Sequence, residues 1–189
     1  MESAFRILIV CTGNICRSPF AEGLLRRELE YLSPGEFLVS SAGTQAIETS
    51  QIHPEIVQLA NRAGLSLDGH VPRQLSEAMV ANADLVIGMD RTHRREIVQI
   101  SPKSLKTTFT LREFARILPN IPADQNASPA DRWRLLVAKA PRYRSSPSGP
   151  AIADDVVDPY GRPSRVFAKM TEQITSAVAT IVDWETDNG

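Results

Sequence analysis

The chain has 189 residues, 42% of them hydrophobic and 23% charged, with 21 Lys and Arg against 22 Asp and Glu for a net charge of −1. That size and balance suit one globular domain with a sizeable core and argue against disorder throughout. The near-neutral charge leaves neither a nucleic-acid footprint nor a polybasic membrane patch, and no apolar run approaches the roughly 20 residues that span a bilayer.

The first predicted element is a Val/Ile/Leu-rich strand, Phe5 to Val10. It runs directly into Cys11-Thr12-Gly13-Asn14-Ile15-Cys16-Arg17-Ser18-Pro19, and a helix is expected over 19–32. Cys11 therefore falls at the carboxyl edge of a strand, where ligands of open α/β sheets collect. Gly13 is read as the residue with special backbone freedom and Pro19 as a first helical position, so that successive N–H groups face an oxyanion. The field that holds a phosphate at a helix start also favours a thiolate, which makes Cys11 a candidate nucleophile. Arg17 returns to the loop mouth, where its planar fork can grip two phosphoryl oxygens. Ser18 can donate a hydrogen bond to the sulfur.

Strand and helix signals then alternate, the pattern of a parallel sheet wrapped by helices. Glu36 to Thr44 reads as a second strand, His53-Pro54 opens a helix that Gly64 stops, and Leu75 to Ala83 suggests a short helix. Asp84 to Met89 suits a strand buried on both faces, and Asp90 could cap a helix from Arg91 to Gln99. A fourth strand is expected near Thr107 to Leu111. From Arg112 the pattern turns irregular, and 112–150 reads as a mobile surface insertion holding one short helix, Ala130 to Ala140. Its Arg132, Arg134, Lys139, Arg142 and Arg144 could meet an acidic phosphoprotein, or simply be solvated. A last helix, Pro163 to Trp184, carries apolar residues at helical spacing.

Two cysteines five positions apart cannot build a disulfide framework, and Met1-Glu2-Ser3-Ala4 lacks the regions of a secretory leader, so a reducing, cytoplasmic home is expected. No metal site is expected: Cys-x4-Cys lacks a second ligand pair, and His53, His70 and His93 are scattered. Phosphoryl transfer through Cys11 would need an acid to protonate a poor leaving oxygen. Asp158, in Val156-Val157-Asp158-Pro159-Tyr160-Gly161, is the best candidate, although Asp-Pro is also a common turn.

The run Val10-Cys11-Thr12-Gly13-Asn14-Ile15-Cys16-Arg17-Ser18-Pro19 resembles the signature of the low-molecular-weight protein tyrosine phosphatases. Asp158-Pro159-Tyr160, Ser41-Ala42-Gly43-Thr44 and Gly69-His70-Val71-Pro72-Arg73-Gln74-Leu75 extend the resemblance along most of the chain. It implies a three-layer α/β fold with a central four-stranded parallel sheet flanked by helices and a phosphate-binding loop after strand 1. It also implies a single domain over 1–189, with an unfamiliar insertion at about 112–150.

By that resemblance Cys11 is the nucleophile, Arg17 the phosphate clamp and Asp158 the general acid and base. Thr12, Gly13, Asn14, Ile15, Cys16, Arg17 and Ser18 bind the phosphate, and Asn14, Ser41 and His70 hold the loop in shape. Ile47 and Tyr160 flank the substrate ring. Apart from the resemblance, Cys16 suits a guard that shields Cys11 through a disulfide, or simply packs in the loop. No cofactor is implied. The partner is a tyrosine-phosphorylated protein, for instance a bacterial tyrosine kinase, and inorganic phosphate or a similar oxyanion occupies the loop. A monomer or weak dimer is expected. Gly161 stands where many members have a second Tyr.

Two alternatives remain at this level. A thiol-dependent arsenate reductase of the same fold would need a relay of thiols, and no cysteine follows Cys16. An inactive phosphotyrosine-binding module would not need Cys11, Arg17 and Asp158 together.

Overall fold

Alternate side chains of the strand Phe5–Cys11 (β1) feed two different cores. Phe5, Ile7 and Ile9 join the larger one, Leu8 and Val10 the smaller. Such a period-two split is what a central strand between two helical layers requires. The computed structural model describes residues 4–46, 48–145, 147 and 149–189.

Around β1 the sheet is parallel throughout. Phe37–Gly43 (β2) and Leu85–Gly88 (β3) pair with its two edges, and Thr108–Thr110 (β4) pairs with β3, giving the order β2-β1-β3-β4. The helices Arg17–Leu32 (α1) and Pro54–Arg62 (α2) cover the larger core. On the smaller core lie Glu77–Ala81 (α3) and Arg91–Ile100 (α4). Leu111–Ile117 (α5), Pro129–Lys139 (α6) and Ser164–Asn188 (α7) complete the first layer. This is the three-layer α/β architecture, with four parallel strands at its centre. No helix among the described residues is long and apolar enough to cross a membrane.

The connection after β1 leads to one side of the sheet and the later strands lie on the other, so the chain switches direction between β1 and β3. At the carboxyl ends of those strands a crevice opens, which is where ligands bind in folds of this kind. Cys11 ends β1, and Asp90 follows β3 by two residues.

The segment expected to be an irregular, mobile insertion is largely structured and partly core. α5 opens with a capping box in which Thr110 and Glu113 satisfy each other's backbone N–H groups, and it buries Phe114, Ala115 and Ile117. α6 buries Trp133 completely, with its ring 5.5 Å from Phe5, 5.0 Å from Phe37 and 6.4 Å from Trp184. Beside it Arg132 Nη2 meets Glu185 Oε1 at 2.6 Å, both side chains at most 3% exposed, and the Trp133 indole donates to the same carboxylate. Phe5 and Phe37 begin their strands, so α6 packs at the end of the sheet away from Cys11.

The basic residues of the segment are largely engaged. Lys139 donates to Pro122 O, and Arg144 lies 3.4 Å from Glu113 and stacks over Phe109. The reading failed there because the apolar positions Trp133, Leu136, Val137 and Ala140, correctly spaced for one helical face, are interleaved with Arg, Lys and Pro.

Candidate active site

Residues 12–16 bend tightly between the end of β1 and the start of α1. Their one left-handed residue is Asn14, with φ of 55°, and not Gly13. An Asn tolerates that conformation better than most side chains, and here its side chain holds the turn as well. Asn14 Nδ2 donates to Ser18 Oγ at 2.9 Å and to Ser41 Oγ at 2.8 Å, while its Oδ1 accepts from Arg73 N at 2.9 Å. The Asn14 carbonyl is 2.9 Å from His70 Nε2. Thus Asn14, Ser41 and His70 come together as the resemblance implied, with the loop pinned from β2 and from the 70–74 segment. Ser41 in turn donates to Glu22 Oε2 at 2.6 Å.

Close approach of β2 depends on a glycine. A Cβ on Gly43 would sit 2.4 Å from Thr12 O and 3.1 Å from Asn14 Cβ, so no other residue fits without moving the loop.

The Cys11 sulfur is buried at the floor. It accepts from Asn14 N at 3.3 Å and lies 3.0 Å from Ser18 Oγ. Because Asn14 already donates to Ser18 Oγ, the Ser18 proton is free to point at the sulfur when Cys11 is a thiolate.

Arg17, 3% exposed, spans the mouth. Nη1 donates to Asp90 Oδ2 at 3.0 Å, and Nη2 donates to Asp158 Oδ2 at 2.7 Å and Thr12 Oγ1 at 3.3 Å. Burial alone would raise the Asp90 carboxyl. The hydrogen bonds of His93, with the charge of Arg17 beyond, outweigh it and hold Asp90 well below the usual carboxylate range.

Asp158 reaches this point because the chain before it is fixed. Asp155 takes Arg91 through its backbone N–H and its guanidinium, Val156 N donates to Met89 O at 2.8 Å, and Val157 N donates to Gln173 Oε1. Asp158 Oδ1 then accepts from Tyr160 N, closing a turn.

A cavity of about 240 Å³ opens above the sulfur, lined by Cys11, Thr12, Gly13, Ile15, Cys16, Arg17, Gln45, Asp158 and Tyr160. Tyr160 is 61% exposed and forms a wall of the mouth. Ile47, the other expected wall, lies outside the described residues. Burial, with the nearby Cys11 and Asp158 against Arg17, pushes the Cys16 thiol up to about 12. Cys16 is therefore a thiol at neutral pH, and both cysteines are free.

A strand-end cysteine, an anion loop and an opposed carboxylate are the parts of a thiol phosphatase. A family profile described as low molecular weight phosphotyrosine protein phosphatase matches residues 6–120. The chain belongs to this family.

Among its relatives in the family, a putative low molecular weight protein-tyrosine-phosphatase of Klebsiella pneumoniae is 41% identical over 103 residues, 54% of this chain and 68% of that one. The low molecular weight protein-tyrosine-phosphatase Etp of Escherichia coli K12 is 40% identical over 97 residues, 51% of this chain and 62% of its own length. Two solved structures superpose on nearly the whole chain. The low molecular weight protein tyrosine phosphatase from T. tengcongensis does so with a TM-score of 0.69 at 28% identity, over 95% of this chain and 99% of that one. The YwlE arginine phosphatase from Geobacillus stearothermophilus gives 0.69 at 27% identity, over 95% and 91%.

For this low-molecular-weight phosphatase family member, sequence reasoning missed several residues that touch the loop. Glu22 anchors Ser41, Arg73 anchors Asn14, and Asp90 and His93 contact Arg17 and Thr12. Asp90 caps α4 as its sequence position suggests, and it also holds Arg17. The signal available was position: Asp90 follows the strand beside β1, so it falls on the same carboxyl edge as Cys11.

Proposed function

We propose that the protein hydrolyses phosphotyrosine in proteins through a phosphocysteine on Cys11. The observation that carries this reading is the 2.7 Å contact between Arg17 and Asp158 over the mouth of the loop. Asp158 lies beyond residues 6–120, the part matched to the family, so its placement is independent support.

In the first step the Cys11 thiolate attacks phosphorus and the P–O bond to the tyrosyl oxygen breaks. Arg17 and the loop N–H groups take the charge of the equatorial oxygens, with Arg17 Nη2 turning from Asp158 to the phosphoryl group. Asp158, now beside the leaving oxygen, gives it a proton. In the second step Asp158 removes a proton from water, water attacks phosphorus, and the P–S bond breaks to inorganic phosphate and the thiolate. Ser18 supports the sulfur as leaving group.

Ile15 and Tyr160 line the cavity above the sulfur, which supports an aromatic phosphoester over phosphoserine. Cys16, held as a neutral thiol, is not a second nucleophile, and it must first lose its proton to act as a guard. After peroxide converts Cys11 to a sulfenic acid, the Cys16 thiol would condense with it to a disulfide, releasing water.

A second reading follows from the structural likeness to an arginine phosphatase. Against it stand the walls of the mouth, which are an aliphatic side chain, Ile15, and the phenol ring of Tyr160. Parallel assays with a phosphotyrosine peptide and a phosphoarginine peptide test the choice. Faster release from phosphotyrosine is expected, and hydrolysis confined to phosphoarginine would overturn it.

A further inference from the structure

We infer that His93 is a positioning residue of the phosphate clamp, acting through Thr12 and Asp90 on Arg17. The inference rests on the reading of Arg17 as the phosphate-binding group. His93 stands in the first turn of α4 and is 2% exposed. Its Nε2 is 2.9 Å from Thr12 Oγ1, and its Nδ1 is 3.0 Å from Asp90 Oδ1. Both residues also hold the Arg17 guanidinium, Asp90 on Nη1 and Thr12 on Nη2, the latter beside Asp158. Arg17, Asp90, His93 and Thr12 therefore close a ring of polar contacts with one imidazole as its hinge.

The helix start does not need this histidine. Asp90 Oδ1 already accepts from the backbone N–H groups of Thr92 and His93, and the Nδ1 contact lies off a good hydrogen-bond line. The directed contact of the ring is the one to Thr12. With Nδ1 carrying the proton toward Asp90, Nε2 accepts the single hydroxyl proton of Thr12, which leaves the Thr12 oxygen lone pairs for Arg17.

Glycine makes the approach possible: a Cβ on Gly88 would come within 3.1 Å of His93 Cβ and 3.0 Å of Arg94 N. Without His93 the Thr12 hydroxyl is free to rotate its proton toward Arg17. Nη2 then has only Asp158, the very partner a phosphoryl group must displace.

The test is titration calorimetry of inorganic phosphate into the intact protein and variants, with thermal melting of each. His93→Phe fills the buried site and removes both contacts. Its phosphate Kd should rise about tenfold, equivalent to about 1.4 kcal/mol. His93→Gln places an acceptor where Nε2 was and should recover the Kd to within about threefold. His93→Asn, which can reach only Asp90, should not.

Unchanged phosphate affinity in His93→Phe, or equal affinity in the Gln and Asn variants, would overturn the inference. Should His93→Phe fail to melt cooperatively, Thr12→Val leaves α4 intact and should give the same weakening, and wild-type affinity there would overturn it too. Phosphate binding is read without turnover, so a protein that binds phosphate yet hydrolyses nothing contradicts the phosphatase reading while leaving His93 decided.

Discussion

The guanidinium of Arg17 lies between two carboxylates, 3.0 Å from Asp90 and 2.7 Å from Asp158. The two differ in kind: Asp90 is mostly covered, whereas the Asp158 side chain is 52% exposed. Phosphate entering the loop competes for the exposed side, and the covered side keeps the fork aligned.

Asp158→Asn keeps the turn with Tyr160 but cannot give or take the catalytic proton. Turnover should fall about 10²- to 10⁴-fold, while inorganic phosphate, which no longer competes with a carboxylate for Arg17, should inhibit at least as well. Steady-state kinetics on aryl phosphates check this, and the loss should be larger for phenyl than for p-nitrophenyl phosphate.

Arg17→Lys preserves charge and loses the fork. A single ammonium cannot serve Asp90 and two phosphoryl oxygens together. Phosphate should bind at least about tenfold more weakly, in keeping with a charge-assisted hydrogen bond of about 1.5–3 kcal/mol. A phosphate titration measures it.

At Gly43 an alanine methyl would meet Thr12 O at 2.4 Å, whereas a methyl at Gly149 meets nothing within 4 Å. Gly43→Ala should cost about 1–3 kcal/mol of stability and weaken phosphate binding, as overpacking does. Gly149→Ala should melt like the parent. Paired thermal melts decide it.

Much of this site was legible in the sequence, because a nucleophile, its loop and a helix start are contiguous from Cys11 to Pro19. The partners that pin the loop were legible only through resemblance. Ser41 and His70 are remote in sequence, and a lone Ser or His carries no local signal. Asp90 and His93 escaped because a helix cap explains an Asp fully, and nothing in a heptad of sequence says that its helix starts against Thr12. The helix α6 was legible over Ala130 to Ala140 but its place in the core was not: its charge hides a core face whose cation, Arg132, finds a buried anion 53 residues away at Glu185.

That pair gives a stability prediction distinct from activity. Arg132→Ala leaves Glu185 buried with no cation beside it and only the Trp133 indole as donor, and should lower unfolding free energy by about 3–5 kcal/mol in urea titration. Activity of the folded fraction should be unchanged, since α6 sits at the far end of the sheet.

Cys16 supplies a pH prediction. Its thiol is raised from 9.0 to about 12 in the folded protein. Below 9 both states hold the proton and the group contributes nothing. Above it the unfolded chain ionises first, so stability falls as pH climbs from about 9 toward 12. Cys16→Ala should flatten that part of a stability profile measured by denaturant titration.

The central claim is that phosphate passes from tyrosine to Cys11. Its most direct test is a rapid denaturant quench during turnover of a phosphotyrosine peptide, followed by peptide mass spectrometry. The account predicts phosphate on Cys11, absent in Cys11→Ser and accumulating in Asp158→Asn with a good leaving group, for which the second step limits. Phosphotyrosine hydrolysis that proceeds in Cys11→Ser, or with no phosphate ever found on Cys11, would contradict it.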